Sequence, residues 1–280
     1  LSDRKGRATF IGTPKGKNEF WEIWQTAQTD PAWFGMMLKA SESGLLDREE
    51  LDAALRDMGR DRYDQEFECS FEAAIQGAYY GAELKAAADQ GRVTRVPYER
   101  GAPVYTGWDI GIDDATAIWF AQMVGREIRV IDFYENSGQD AAHYVEVVRS
   151  KPYSYGDHIL PHDAGKREIG TGQTYEDQLK KAEIPGKTKV LARTNDVVGD
   201  INAARDFISK CYFDEKRCGM GLEALRQYRR EWDERLKTWR RTPLHDWSSH
   251  AADAFRQLAV DMKPKQTAKP IKMSGIGTIA

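Results

Sequence analysis

One aspartate interrupts an apolar run that is otherwise typical of a buried strand. Asp109 lies in Val104-Tyr-Thr-Gly-Trp-Asp-Ile-Gly111, and Asp163 lies in a second apolar run, Ile159-Leu-Pro-His-Asp-Ala-Gly165. Asp253 belongs to a helix-like segment, Ser248-Ser-His-Ala-Ala-Asp-Ala-Phe255. A carboxylate in an apolar strand is costly unless a partner compensates its charge. The three aspartates together therefore predict a shared divalent cation and chemistry on phosphates.

Composition limits the class of protein. The chain has 280 residues, of which 41% are hydrophobic, enough for a sizeable core in one or two domains. No apolar run reaches the roughly 20 residues of a membrane span. The three cysteines are an odd number and form no CxxC pair, which argues against a disulfide framework or a zinc knuckle. We expect a soluble protein of a reducing cytosol with no membrane partner.

The charge is unevenly distributed. A net charge of -3 argues against nucleic acid, yet residues 216–241 are rich in Arg and Lys, with Tyr228, Trp232 and Trp239 interleaved. Such a stretch predicts contact with a phosphate backbone. A solvated helix face with i,i+4 ion pairs explains any single one of these charges equally well.

The order of predicted elements divides the chain into three parts. Residues 1–75 contain a strand at 8–11 and helices at 19–26, 47–56 and 61–67, and residues 263–280 have no core-forming period and predict a flexible tail. Residues 76–262 carry the main domain. Its predicted strands are residues 92–97, 104–110, 115–123, 126–134, 158–162 and 189–192, and its predicted helices are residues 79–90, 140–149, 175–181, 199–209, 221–230 and 246–262, with a hairpin at 232–240.

This order predicts an α/β fold, a mixed sheet with helices on both faces, as in RNase H-like domains. In that topology the strand of Asp109 lies parallel to and beside the strand of Asp163, about 4.8 Å away. Their carboxylates then suit two Mg²⁺ or Mn²⁺ ions roughly 4 Å apart, the spacing used in two-ion phosphodiester cleavage.

Three motifs resemble the nuclease domain of the large terminase subunit of tailed bacteriophages, the motor that packages viral DNA. They are Gly107-Trp-Asp-Ile-Gly111, Leu160-Pro-His-Asp163 and Ser249-His-Ala-Ala-Asp-Ala-Phe-Arg256. Phe10-Ile-Gly-Thr-Pro-Lys-Gly16, Phe20-Trp-Glu-Ile-Trp24 and Arg62-Tyr-Asp-Gln-Glu-Phe-Glu-Cys-Ser-Phe71 are similar to the end of that family's ATPase domain and its exit segment.

The resemblance implies a C-terminal fragment in which residues 1–75 are the remnant of an ATPase domain and its linker helices. It also implies an endonuclease acting on double-stranded DNA in the cytoplasm of the infected host, with the portal protein and the small terminase subunit as partners. Gly12-Thr-Pro-Lys-Gly-Lys-Asn18 falls short of a phosphate-binding loop, with one residue too few between its glycines and Asn in place of the hydroxyl. We therefore expect no ATPase activity from this chain.

The resemblance assigns the catalytic and metal-binding roles to Asp109, Asp163 and Asp253, with Asp109 bridging two ions. Periodicity alone places Asp253 on a solvated helix face with Asp246 and His250, opposite the apolar stripe, and the resemblance overrides that interpretation. A loop-entry role explains Asp163 as well. Possible auxiliary groups are His250, Asp113 and Asp114, although a turn accounts for the last two.

The remaining polar residues have simpler predicted roles. Asp246 is expected to cap the last helix, and His143, His158, His162 and His245 to be structural. The predicted DNA contacts are Lys166, Arg167, Arg226, Arg229, Arg230, Lys237, Arg240 and Arg241.

Two rival functions follow from the same residues. A Holliday-junction resolvase or transposase has the same fold but prefers branched DNA. A non-enzymatic DNA clamp or portal-docking module would bind DNA without cutting it, and the basic stretch and the tail favour it.

Overall fold

The computed structural model describes residues 6–14, 16, 19–71, 75–111, 114–167, 172–233, 235–236 and 238–262. The predicted tail, Asp113 and Lys237 lie outside the described residues. Within the described part of the chain, no helix is both long and apolar enough to cross a membrane.

A seven-stranded mixed sheet forms the centre of the fold. Its strand order is β1-β7-β4-β3-β2-β5-β6, where β3 runs antiparallel to both of its neighbours and the other pairs are parallel. The strands are β1 (Val93–Thr94), β2 (Val104–Asp109), β3 (Ala115–Val124), β4 (Glu127–Ser137), β5 (Tyr155–Leu160), β6 (Lys187–Val190) and β7 (Cys211–Asp214).

The predicted parallel pairing of β2 with β5 is confirmed, as is the hairpin of β3 and β4 through Gly125. Gly125 has a φ of 62°, a left-handed conformation that glycine adopts without steric cost. Strand β7 was not predicted, because four residues offer too short a pattern to distinguish a strand from a loop.

Helices cover both faces of the sheet. The helices are α1 (Glu19–Thr29), α2 (Ala40–Ser43), α3 (Arg48–Met58), α4 (Arg60–Glu66), α5 (Gly81–Asp89), α6 (Ala141–Ser150), α7 (Tyr175–Lys181), α8 (Val197–Ile208), α9 (Gly219–Gln227) and α10 (Ser248–Asp261). One core holds side chains of α6 and α7 against Trp108 and Phe120. The other holds side chains of α5, α8, α9 and α10 against Trp119 and Phe213. The predicted α/β arrangement is confirmed.

Residues 6–14 form neither helix nor strand, so the predicted strand at 8–11 is wrong. A strand is defined by its backbone hydrogen bonds to a neighbouring strand, and no described segment pairs with this one. Phe10 and Ile11 are accordingly exposed, at 51% and 92%.

A separate two-stranded sheet, β8 (Arg230–Asp233) and β9 (Thr238–Pro243), confirms the predicted hairpin. Trp232 and Trp239 pair across it with ring centroids 4.9 Å apart. The Trp239 ring also covers Gly77, where an added Cβ would lie 2.8 Å from the ring. The hairpin is thereby attached to the segment that leads into α5.

Helix α10 lies unusually close to β2. A Cβ built on Gly107 would meet the carbonyl oxygen of Ala254 at 2.5 Å and the Leu258 Cβ at 2.8 Å, so only glycine permits this approach. The Trp119 indole N–H donates to the Ala251 carbonyl oxygen at 2.7 Å, which fixes the helix along the sheet. This packing determines how near α10 comes to the end of β2.

We expect Gly107→Ala to lower the free energy of unfolding by about 1–3 kcal/mol, because the new methyl group must push α10 away from the sheet. Gly219→Ala is the matched control, since a Cβ at Gly219 has no neighbour within 4 Å. Urea denaturation of both variants measures the difference. Equal stability of the two variants would show that α10 tolerates a wider spacing.

Candidate active site

Asp109 is the last residue of β2, and its side chain is 23% exposed. The register places Asp109 opposite Ala117 of β3, on the sheet face that α10 covers. The His250 Nδ1 atom lies 3.1 Å from the Asp109 Oδ2 atom. A carboxylate can only accept, so Nδ1 is the donor. The structure thus joins two residues that are 141 positions apart in the sequence.

His250 is 12% exposed and belongs to the first turn of α10. Its hydrogen bond to Asp109 is the main cause that raises the pKa of His250, and burial opposes it. Asp109, Glu135 and Asp114 add a favourable charge interaction with the protonated ring. When the His250 ring is protonated, its charge compensates that of Asp109.

Asp253 lies one turn further along α10, with its side chain 31% exposed. Its Oδ1 atom is 2.6 Å from an Arg256 guanidinium nitrogen, and the Tyr228 hydroxyl donates to the same oxygen at 3.5 Å. Burial raises the pKa of Asp253 to about 6, Arg256 opposes this shift, and the charge of Asp109 reinforces it. The charge of Asp109 is thus near enough to disfavour ionisation of Asp253.

The periodicity of α10 gave the wrong environment for Asp253. The apolar stripe of Ala251, Phe255 and Leu258 is buried as expected, but the opposite side of the helix is not open to solvent. Tyr228, which follows α9, covers it, and both Tyr228 and Arg256 are largely buried beside Asp253. A helical wheel describes one helix alone, so it cannot show that Tyr228 packs on the polar side of α10.

Glu135 of β4 is a member of this cluster that the sequence did not reveal. Across the sheet Asp109 pairs with Ala117, and Ala117 pairs with Glu135, so the two carboxylates lie in one row on the same face. Burial raises the pKa of Glu135, the charge of His250 lowers it, and Asp109 raises it. The predicted strand ended at residue 134, one position too early to include Glu135.

Asp163 lies apart from these contacts. It is exposed in the short 3-10 turn His162–Gly165, directly after β5. Because β5 is parallel and adjacent to β2, Asp163 and Asp109 follow neighbouring carboxyl ends of the sheet. Among the described residues, none forms an ion pair with the Asp163 carboxylate. Its predicted role therefore depends on its place in the topology and on no contact.

Asp114 and His245 lie at the edge of the cluster. Asp114 is exposed, and its Oδ2 atom is 4.0 Å from His245 Nε2, while the rings of His245 and His250 are 5.7 Å apart. The structural role predicted for His245 is wrong, since its side chain is 75% exposed beside two site residues. The spacing His245-x-x-x-x-His250 was the available signal.

Two other histidines have structural roles, as predicted. Buried His158 contacts Thr106 Oγ1 at 2.6 Å and the Pro185 carbonyl oxygen at 2.6 Å, and His143 contacts the Tyr134 hydroxyl at 2.7 Å. Asp246 accepts the Ser248 backbone N–H at 3.0 Å, which satisfies one free donor at the start of α10.

Three of the predicted DNA contacts on the hairpin side are already paired with acids. Arg226 contacts Glu223, Arg229 contacts Asp246, and Arg240 contacts both Glu231 and Asp233. Arg230 lies over the Tyr79 ring at 5.7 Å, and Arg241 belongs to β9. Lys166 and Arg167 are exposed directly after the turn of Asp163. Their DNA-binding role stays a prediction.

The donor chemistry of the cluster fits a hard divalent cation. Carboxylate oxygens are the ligands that Mg²⁺ and Mn²⁺ prefer, and the row of Asp109 and Glu135 on the sheet supplies two carboxylates on the face where His250 contacts Asp109. In the part of the chain that the structure describes, no three acidic or histidine side chains are already close enough to hold an ion. Asp253 is instead paired with Arg256, and Asp109 with His250.

Comparisons with solved structures identify the fold. The large terminase of a thermophilic bacteriophage, solved in complex with ADP, superposes with a TM-score of 0.50 at 14% identity, covering 89% of this chain and 61% of that chain. The P22 large terminase nuclease domain gives a TM-score of 0.45 at 17% identity, covering 60% of this chain and 86% of that chain. The large terminase nuclease of thermophilic phage G20c with bound magnesium gives a TM-score of 0.47 at 11% identity, covering 66% of this chain and 98% of that chain.

The likeness to the ADP-bound terminase, at a TM-score of 0.50, shows that this chain shares its class of fold, a mixed sheet with helices on both faces. Within that class, the solved relatives are large terminase subunits of several phages, so the predicted structural resemblance is confirmed at low sequence identity. This chain spans less than two thirds of the ADP-bound terminase. No family model matches the sequence, and the search among curated proteins gives no match.

The raised pKa of Asp253 predicts how stability depends on pH. Because the pKa in the folded state, about 6, exceeds the unfolded value of about 3.9, the folded state binds the proton more tightly. Lowering the pH from 7 to 5 should therefore stabilise the wild type relative to Asp253→Asn, on the order of 1 kcal/mol. Denaturant unfolding in EDTA at both values measures this difference. A pH-independent difference would mean that Asp253 titrates normally.

Proposed function

We propose that this chain is a metal-dependent endonuclease that cuts double-stranded DNA during packaging of a viral genome. The observation that supports the proposal is the contact of Asp109, at the end of β2, with His250 of α10, one turn before Asp253 on the same helix, in an RNase H-like fold. The choice of Mg²⁺ or Mn²⁺ for this chain rests on the carboxylate-rich donor chemistry of that cluster.

Each residue has a proposed role. Asp109 would hold both ions, while Asp253 and Asp163 would each hold one. Bound there, Mg²⁺ or Mn²⁺ supplies neutralisation of the phosphate charge and lowers the pKa of the attacking water. His250 donates to Asp109 and thereby fixes the orientation of that carboxylate. Arg256 holds Asp253 in the same way.

DNA recognition would rest on the backbone. Lys166 and Arg167 follow the turn of Asp163, where they would meet phosphates next to the cleaved bond. The hairpin β8–β9 carries Arg240, Arg241 and Trp232, which would bind further along the duplex. Cationic and aromatic side chains bind nucleic acid with little sequence preference, so we expect cleavage to be largely independent of sequence.

The division of the chain is also a proposal. We assign residues 76–262 to the nuclease domain and residues 1–75 to the end of an ATPase domain with its linker helices. The match to the ADP-bound terminase covers 89% of this chain, more than residues 76–262 alone can supply, which supports this assignment. Partnership with the portal protein and the small terminase subunit, and action in the host cytoplasm, follow from the same proposal.

Plasmid cleavage in Mn²⁺ or Mg²⁺ tests the assignment of the carboxylates. Removing a ligand leaves the remaining carboxylates unable to hold the ions, so Asp109→Ala and Asp253→Ala should lower the cleavage rate on the order of 100-fold or more. Asp163→Ala should act in the same direction. Asp206→Ala is the control, because Asp206 is an exposed residue of α8.

Three outcomes would argue against the proposal. If the single-alanine variants cut as fast as the wild type, these carboxylates do not form the active site. Binding of DNA without cutting in either metal would favour a non-enzymatic clamp. A strong preference for four-way junctions over linear duplex would favour a resolvase.

A further inference from the structure

The arrangement of β4 beside β3 brings a fourth carboxylate to the candidate active site. Glu135 pairs with Ala117, which in turn pairs with Asp109. Neighbouring strands are about 4.8 Å apart, so Asp109 and Glu135 are separated by two such spacings, roughly 10 Å between backbones. Ala117, whose side chain is a methyl group, stands between them in this row of the sheet. Carboxylate side chains that lean toward each other across an alanine leave room for a cation.

The side chain of Glu135 points to the face of the sheet that carries the site. Its neighbour Tyr134 points to the opposite face, where its hydroxyl contacts His143 at 2.7 Å. Successive strand residues alternate, so Glu135 shares the face of Phe133, which packs against Trp119 in the core beneath α10. Glu135 is therefore directed toward α10 and His250.

A structural role does not explain Glu135. The other acid near the start of the same strand, Glu127, forms an ion pair with Arg129 at 2.8 Å. No arginine or lysine among the described residues pairs with Glu135. Its electrostatic neighbours are His250 and the like-charged Asp109. His250 favours the ionised form of Glu135, yet burial and the charge of Asp109 keep the pKa of Glu135 raised. A divalent cation beside both carboxylates would supply the further compensation.

We propose that Glu135 is a metal ligand of the nuclease site, and that it holds a divalent cation together with Asp109 across Ala117. This inference rests on the proposed function, because it concerns the same site. It differs in adding Glu135 of β4 to the three aspartates. The cation would then be held mainly by the sheet, while α10 contributes Asp253 and orients Asp109 through His250.

The test compares Glu135→Gln with Glu127→Gln, its matched control on the same strand. Mn²⁺ binding is measured by isothermal titration calorimetry and by electron paramagnetic resonance of free Mn²⁺, alongside plasmid cleavage. Glutamine keeps the shape of glutamate but removes its charge. We expect Glu135→Gln to bind Mn²⁺ at least about tenfold more weakly or to lose one ion, and Glu127→Gln to match the wild type.

Thermal unfolding separates a ligand from a structural residue. Without metal, Glu135→Gln should melt at the same temperature as the wild type or higher, since a repulsion with Asp109 is removed. Added Mn²⁺ should raise the melting temperature of the wild type more than that of the variant, because a cation stabilises the folded state according to its affinity. A lower melting temperature in EDTA together with unchanged Mn²⁺ binding would assign Glu135 a structural role instead and overturn the proposal.

The remaining outcomes distinguish this inference from the proposed function. If the wild type binds Mn²⁺ and cuts DNA while Glu135→Gln does both equally well, Glu135 is no ligand and the nuclease proposal stands. If the wild type binds no Mn²⁺ and cuts no DNA, both proposals fail. Glu135→Asp retains the charge on a shorter side chain and should give an intermediate Mn²⁺ affinity, whereas a residue without a metal role would show no such order.

Discussion

The close packing of α10 on β2 is the contact on which the candidate site depends. Gly107 has no side chain, so the backbone of α10 at Ala254 approaches β2 more closely than any other residue would permit. Asp109 lies two residues after Gly107 on β2, and His250 lies one turn before Ala254 on α10. Their 3.1 Å contact follows from that approach.

The charges of the site are balanced internally. His250 is paired with Asp109 and Arg256 with Asp253, so each of the two carboxylates has a hydrogen-bonding partner from the same helix, and Arg256 carries a positive charge. The Tyr228 hydroxyl joins the second pair. A half-buried carboxylate without a partner would favour protonation, and these contacts keep the acids available for a cation. Glu135 differs from them, since its neighbours are the charges of the site itself.

The sequence predicted the order of elements better than their lateral arrangement. The apolar runs of Val104–Asp109 and Ala115–Val124 are clear enough to be recognised as strands, and the parallel contact of β2 with β5 follows from the topology. The row that joins Asp109, Ala117 and Glu135 across the sheet cannot be predicted in this way. It depends on the register between β3 and β4, which shifts at Phe120 and Ala121, and a slip of one residue would turn Glu135 to the opposite face.

The sequence by itself determined the α/β class, the position of Asp109 within a strand and the resemblance that singled out Asp163 and Asp253. These features are local, because hydrophobic period, turn residues and short motifs are contained in adjacent positions. Only the tertiary structure decided which of the acids meet. It brought Asp109, Glu135, His250 and Asp253 together, left Asp163 exposed, and covered the polar side of α10 with Tyr228. The reason is that strand register and helix approach are set by packing between distant segments, and no window of the sequence records that packing.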